Sequence, residues 1–216
     1  MPRPTVNVRE LQAPLRERYT QDPGSAPVVL RVVSGGADLS DPLHCAVRPD
    51  GAPGASFRSG AHPAVGGTGD VPCSGDLLLS ALAACQEVTL RMVAASMGIE
   101  LESLEVTVEG DWDPRGTLAM GRQFPVGLTG IRCHTKAVIA GDEGGERAGR
   151  LLRSAERYCV VLSTLRNGVP VDSTFELGNA SSDDRCGLQE YPERTVAPVT
   201  GHRLAARPPP ASGAVR

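Results

Sequence analysis

The sequence predicts an α+β protein in which helices pack on an antiparallel sheet. Residues 74–98 form a long, strongly apolar helical segment, and short β-branched runs separated by Gly and Pro clusters precede it. Behind it come alternating strands and a second amphipathic helix, without a βαβ rhythm or a solenoid-period repeat. At 216 residues the chain has room for one sizeable core with additions at both ends. Aromatics make up only 3% of it, so that core has to be built from Leu, Val, Ala and Ile.

Residues 1–24 read as a helical extension. Leu11, Leu15 and Tyr19 recur at four-residue spacing over 8–20, and Asp22-Pro23-Gly24 ends the pattern. This helix suits packing on the core or on a partner subunit. Residues 27–34, PVVLRVVS, are a strand candidate closed by Gly35-Gly36, and weaker candidates follow at 43–48 and 55–59, as in a meander. The glycine-rich stretch 62–72 precedes a helix, where backbone N–H groups cradle anions in some proteins. It lacks both the Lys-Ser/Thr of a phosphate loop and the G-x-G-x-x-G spacing, so it reads as a structural turn.

The central helix follows. From Leu77 to Cys85 only Ser80 is polar, which predicts burial on every side. Ser74 suits the N-cap, Asp76 favours the positive helix end, and Gly98 supplies a left-handed stop. Leu78, Ala81, Leu82, Val88, Thr89 and Met92 surround Cys85 at helical spacing, and Leu82, Val88 and Met92 are the candidates to line a pocket at its thiol. Residues 104–110 then alternate, with Leu104, Val106 and Val108 on one face. A Gly/Pro-rich loop spans 113–130, and a second strand runs over 131–139. Residues 141–159 read as a helix with Ala148, Leu151, Leu152, Ala155 and Cys159 along one stripe. Asn167-Gly168 turns the chain and 171–177 reads as a last strand. Residues 25–178 thus form the domain, and 179–216, with Pro208-Pro209-Pro210, read as a poorly ordered tail.

A net charge of −3 argues against a general nucleic-acid partner. No basic start with an apolar run suggests a signal peptide, and no 18-residue apolar segment is taken as a membrane span, so a cytoplasmic protein without a membrane partner is expected. Six cysteines in this length are not a disulfide scaffold. No C-x-x-C pair is present, so neither zinc nor another cofactor is expected. Cys45, Cys73, Cys133 and Cys186 read as packing or incidental residues. Cys85 and Cys159 differ, because both lie on apolar helical stripes that face one core, which makes a redox pair possible.

The segments GGTGDVPCSGDLLLSALAACQEVTL, GIELESLEVTVEGDWD and AERYCVVLSTLRNGVPV, in this order, resemble the OsmC/Ohr family, the osmotically inducible and organic hydroperoxide resistance proteins. The resemblance spans residues 25–178. It implies an intertwined homodimer in which the antiparallel sheets of both subunits wrap buried central helices, with both active sites at the interface. It also implies a thiol peroxidase of the peroxiredoxin type, with Cys85 peroxidatic and Cys159 resolving. The substrate would be a small organic or fatty-acid hydroperoxide and the reductant an external dithiol of the lipoyl type.

An unperturbed thiol has a pKa of about 8.5 and apolar burial raises it, so a cation is expected near Cys85. In the family an arginine held by a glutamate serves. Here the glutamate's position, ten before the first cysteine, is Gly75, with Asp76 next to it. Ala37 follows Gly35-Gly36 where the arginine often stands, and Val160 replaces a common proline after the second cysteine. Arg31, Arg48, Arg58 and Asp76 therefore remain the candidates to activate the thiolate. A different class stays open beside the peroxidase: a slow or non-catalytic member that binds or senses a small apolar ligand in the dimer-interface pocket. A purely structural partner acting through the N-terminal helix is a third reading.

Overall fold

The computed structural model describes residues 6–141 and 145–177. The chain divides into two units, Met1–Pro170 and Val171–Arg216. The expected tail, 179–216, lies outside the described residues. In the second unit, residues 171–177 form neither helix nor strand, so the last strand read there from the sequence is absent.

Helix α1 (Val8–Gln21) begins where the Asn7 side chain accepts the Glu10 N–H at 3.3 Å, an N-cap bond that satisfies one of the free donors of the first turn. Strands β1 (Val32–Ser34), β2 (His44–Pro49) and β3 (Phe57–Gly60) form an antiparallel meander in the order β1-β2-β3, with Val33 opposite Arg48 and Cys45 opposite Ser59. The glycine-rich loop then folds back on itself. A Cβ at Gly67 would lie 1.7 Å from the Ala61 carbonyl oxygen, so only glycine fits this close approach. Ser59 Oγ and the Gly60 N–H both donate to the Pro72 carbonyl, at 3.0 and 3.1 Å, and anchor the chain where the central helix starts.

That helix, α2 (Ser74–Met97), is capped by Cys73 rather than by Ser74, which is its first residue. The Asp76 N–H donates to Cys73 Sγ at 3.4 Å and the Cys73 N–H to Asp76 Oδ2 at 2.9 Å, a reciprocal capping box. Gly98 closes the helix with φ 64°. Strands β4 (Leu101–Asp111) and β5 (Gly130–Ile139), with the short α3 (Pro114–Thr117) between them, form a separate antiparallel ribbon in which Val106 faces Thr135. One antiparallel sheet was expected; the fold has two, because the loop and α2 intervene between β3 and β4. In β4, Leu104, Val106 and Val108 alternate with exposed residues, as the period of two requires.

The last expected helix, 141–159, is present, and a further helix that the sequence reading did not include follows it directly. Helix α4 (Glu146–Tyr158) ends at Cys159, whose extended backbone breaks the spiral, and α5 (Val160–Asn167) starts on the next residue. The β-branched start of α5 and the absence of a polar cap hid it in the sequence. The core gathers Leu90, Ala94 and Ile99 with Leu151 and Ala155, flanked by Leu101, Leu104 and Ile139 of the ribbon. Burial of each such leucine contributes about 1.5–3 kcal/mol.

Helix α2 buries a single stripe, Leu82, Gln86, Leu90 and Ala94, not its whole circumference. Leu78, Val88 and Met92 remain 42%, 52% and 40% exposed. By length and composition alone α2 is long and apolar enough to cross a membrane, which corrects the sequence reading that no such segment exists. One side of it packs against β4, α4 and α5.

Candidate thiol site

Cys85 sits in the middle of α2, and Cys159 is the hinge between α4 and α5. The structure brings the two together, close enough for each thiol to act on the ionisation of the other. Cys159 is completely buried, whereas Cys85 is half-buried. No side chain caps α5, so the N–H groups of its first turn lack partners within the helix. Cys85 takes them. Burial, the largest single influence, pushes its thiol up, but N–H donation from Val161 and Val160 and hydrogen bonds from Cys159 and Thr89 outweigh it and hold the thiol below its ordinary pKa.

Cys159 moves the other way. Burial raises its pKa, the N–H groups of Leu162 and Val161 partly offset this, and its hydrogen bond to Cys85 and the negative charge developing there raise it further. The pair is therefore differentiated, with Cys85 the more readily ionised thiol and Cys159 the less. The cation expected beside Cys85 is not among the groups acting on it; helix-terminal amides occupy that role.

The other candidates lie elsewhere. Arg31 pairs with Asp50 at 2.9 Å, Arg48 donates to the Gly35 carbonyl at 3.4 Å, and Arg58 approaches Asp70 at 4.0 Å, all around the first sheet. Asp76 caps α2, nine residues before Cys85, which is about 13 Å along the axis. Leu82, Val88 and Met92 do not share one cavity. Leu82 lines one of about 540 Å³ with Gln86, Cys133 and Leu162; Val88 lines one of about 400 Å³; Met92 reaches that one and another of about 770 Å³. Among the described residues, no group of three His, Cys, Asp or Glu side chains is placed to hold a metal ion.

Thr89 and the Val160 and Val161 amides were missed by sequence reasoning as functional groups. Thr89, four residues after Cys85, was legible from helical spacing. The two amides were not, because seeing them requires knowing that a helix begins at residue 160.

An α+β chain whose central helix presents a thiol to the start of a later helix, beside a second thiol, defines a dithiol protein. The chain belongs to the OsmC-like protein family, whose model matches residues 67–174. Among solved structures it is similar to an OsmC-like protein from Mycoplasma pneumoniae, with 18% identity, a TM-score of 0.52, and coverage of 65% of this chain and 89% of that one. It is also similar to an OsmC-like protein of unknown function from Vibrio cholerae, with 12% identity, a TM-score of 0.52, and coverage of 64% and 94%. An organic hydroperoxide resistance protein from Legionella pneumophila matches with 20% identity, a TM-score of 0.49, and coverage of 66% and 92%. No curated protein matches the chain. At these identities the likeness to solved structures shows the fold alone.

Proposed function

We propose that this protein is a thiol peroxidase that reduces organic hydroperoxides to alcohols. The observation that supports this most directly is the differentiated pair, with Cys85 held toward thiolate by the α5 amides and Cys159 protonated against it. The Cys85 thiolate attacks the terminal peroxide oxygen and the O–O bond breaks. Cys85 becomes a sulfenic acid, and the departing alkoxide takes up a proton as the alcohol. The Cys159 thiol then condenses with the sulfenic acid, releasing water and forming a disulfide. An external dithiol restores both thiols by exchange and is itself oxidised to a disulfide.

The active form in this reading is a homodimer, as members of the family commonly are. The exposed Leu78, Val88 and Met92 of α2, together with Val28, Val29 and Leu30 before β1, supply an apolar surface that a second copy would cover. The test is stopped-flow consumption of cumene hydroperoxide with a dithiol reductant. Wild type should turn over and Cys85→Ser should not; an unchanged rate in the variant overturns the assignment.

One observation favours a second reading, a slow or non-catalytic protein that binds an apolar ligand: no guanidinium is among the groups acting on Cys85. Native mass spectrometry of the freshly purified dimer would then show a retained small molecule, with no sulfenic acid trapped on Cys85 after peroxide treatment.

A further inference from the structure

The Val160 and Val161 amides act on Cys85 only while α5 keeps its orientation, and little within α5 fixes that orientation. None of its residues is buried and no side chain caps it. Leu162, Leu165 and Arg166 border the cavity of about 540 Å³ instead of filling it. The link to α4 is a single residue, Cys159, with φ −73° and ψ 108°. One residue offers two soft dihedrals about which α5 can swing. Helix α4, by contrast, is fixed in the core by Leu151 and Ala155, both completely buried.

An ion pair crosses this joint. Arg166, in the last turn of α5, reaches back to Glu156 near the end of α4, with Nη2 and Oε1 2.5 Å apart. Among the described residues no other ion pair joins the two helices. Cys159 holds the start of α5 and Glu156 holds its far end, so the two attachments together define the direction in which the first-turn N–H groups point. Neither Glu156 nor Arg166 is among the groups acting on Cys85. Any influence of the pair on that sulfur therefore passes through the position of α5.

We propose that Glu156 and Arg166 form a positioning clamp that keeps the first-turn amides of α5 on the Cys85 sulfur. The clamp bears on turnover only through the peroxidase reading, whereas its action on Cys85 does not depend on that reading. The measurement is the pH midpoint of Cys85 alkylation by iodoacetamide in the full-length reduced protein, followed by peptide mass spectrometry. Losing either partner frees α5, so Glu156→Gln and Arg166→Gln should each raise the midpoint by about 0.5 pH unit, the effect expected of an exposed ion pair. Through-space action of the two charges would instead move the midpoints apart, down for the lost carboxylate and up for the lost guanidinium. The exchanged pair, Glu156→Arg/Arg166→Glu, should return the midpoint toward the wild-type value. Unchanged midpoints in both single variants overturn the clamp, as do shifts of opposite sign or an exchanged pair no closer to wild type than the single variants. If the midpoints behave as stated but wild type consumes no cumene hydroperoxide, the clamp stands and the peroxidase reading falls.

Discussion

The thiols of Cys85 and Cys159 act on one another, yet they are driven in opposite directions, Cys85 below its ordinary pKa and Cys159 above. The asymmetry originates in the break between α4 and α5. Cys159 belongs to the break itself, whereas Cys85, on another helix, lies where the N–H groups of Val161 and Val160 converge.

The first consequence concerns which thiol reacts. With its pKa depressed, Cys85 keeps its thiolate to lower pH than an ordinary cysteine and loses reactivity only as pH falls through that depressed value. Iodoacetamide under limiting conditions should therefore label Cys85 before Cys159, read by peptide mass spectrometry. Cys159→Ala removes the S–H donor and should move the Cys85 alkylation midpoint upward. Cys159→Ser keeps an O–H donor and should move it less. Equal midpoints in the three proteins would show that the thiol contact does not act on Cys85.

Val160 stands where proline is common in the proteins this chain resembles, and proline has no N–H to donate. Val160→Pro should therefore preserve α5, since proline is well tolerated at the first helical position, while deleting one donor to the thiolate. A hydrogen bond to a charged group contributes about 1.5–3 kcal/mol, so the Cys85 midpoint should rise by about one pH unit or more. Stopped-flow peroxide consumption at neutral pH should slow by about tenfold, with the loss recovered as pH is raised. A loss that persists at high pH would indicate damage to the fold instead.

These relationships show what the sequence made legible. Cys85 and Cys159 were readable as a converging pair because each sits on an apolar helical stripe, and periodicity reports which face a residue shares. Leu151 and Ala155 were readable in the core for the same reason. The end of that helix at Cys159 was legible as well, but its restart at Val160 was not, since no polar cap precedes Val160-Val161-Leu162. The expected cation for Cys85 followed from the rise in thiol pKa that apolar burial causes, an argument that left out backbone dipoles. Exposure of Leu78 and Val88 escaped the reading too, because an all-round apolar helix announces burial without saying whether one chain or two provide it.

The entry to α2 carries its own pH dependence. His44 Nδ1 lies 2.7 Å from Asp41 Oδ2 and its Nε2 3.0 Å from Asp70 Oδ1, with Thr68 also bonded to Asp70 and Arg58 4.0 Å beyond it. Hydrogen bonds to Asp70 and then Asp41 raise the His44 pKa above its ordinary 6.5, while Thr68 and then His44 lower that of Asp70 to about 2. Stabilisation from His44 is therefore complete below pH 6.5 and lost as pH rises through its raised pKa; that from Asp70 is complete above pH 3.8 and lost as pH falls toward 2. Thermal unfolding should show Tm falling from pH 6 toward pH 8 in wild type, and a shallower fall over that interval in His44→Gln. Parallel slopes would remove His44 from the account.

Gln86 interrupts the buried stripe of α2 between Leu82 and Leu90, and its Oε1 is buried without a hydrogen-bond partner among the described residues. An unsatisfied buried acceptor costs about 1–3 kcal/mol, so Gln86→Leu should stabilise the protein by about 1–2 kcal/mol. The measurement is the urea midpoint at constant m, which separates a change in stability from a change in the surface exposed on unfolding. Peroxide turnover in the variant then distinguishes two reasons for retaining the amide. If stability rises and turnover is kept, Gln86 is a tolerated defect beside Cys85. If stability rises and turnover falls, the amide holds a functional conformation of α2 at the cost of stability, the trade expected of polar groups next to reactive thiols.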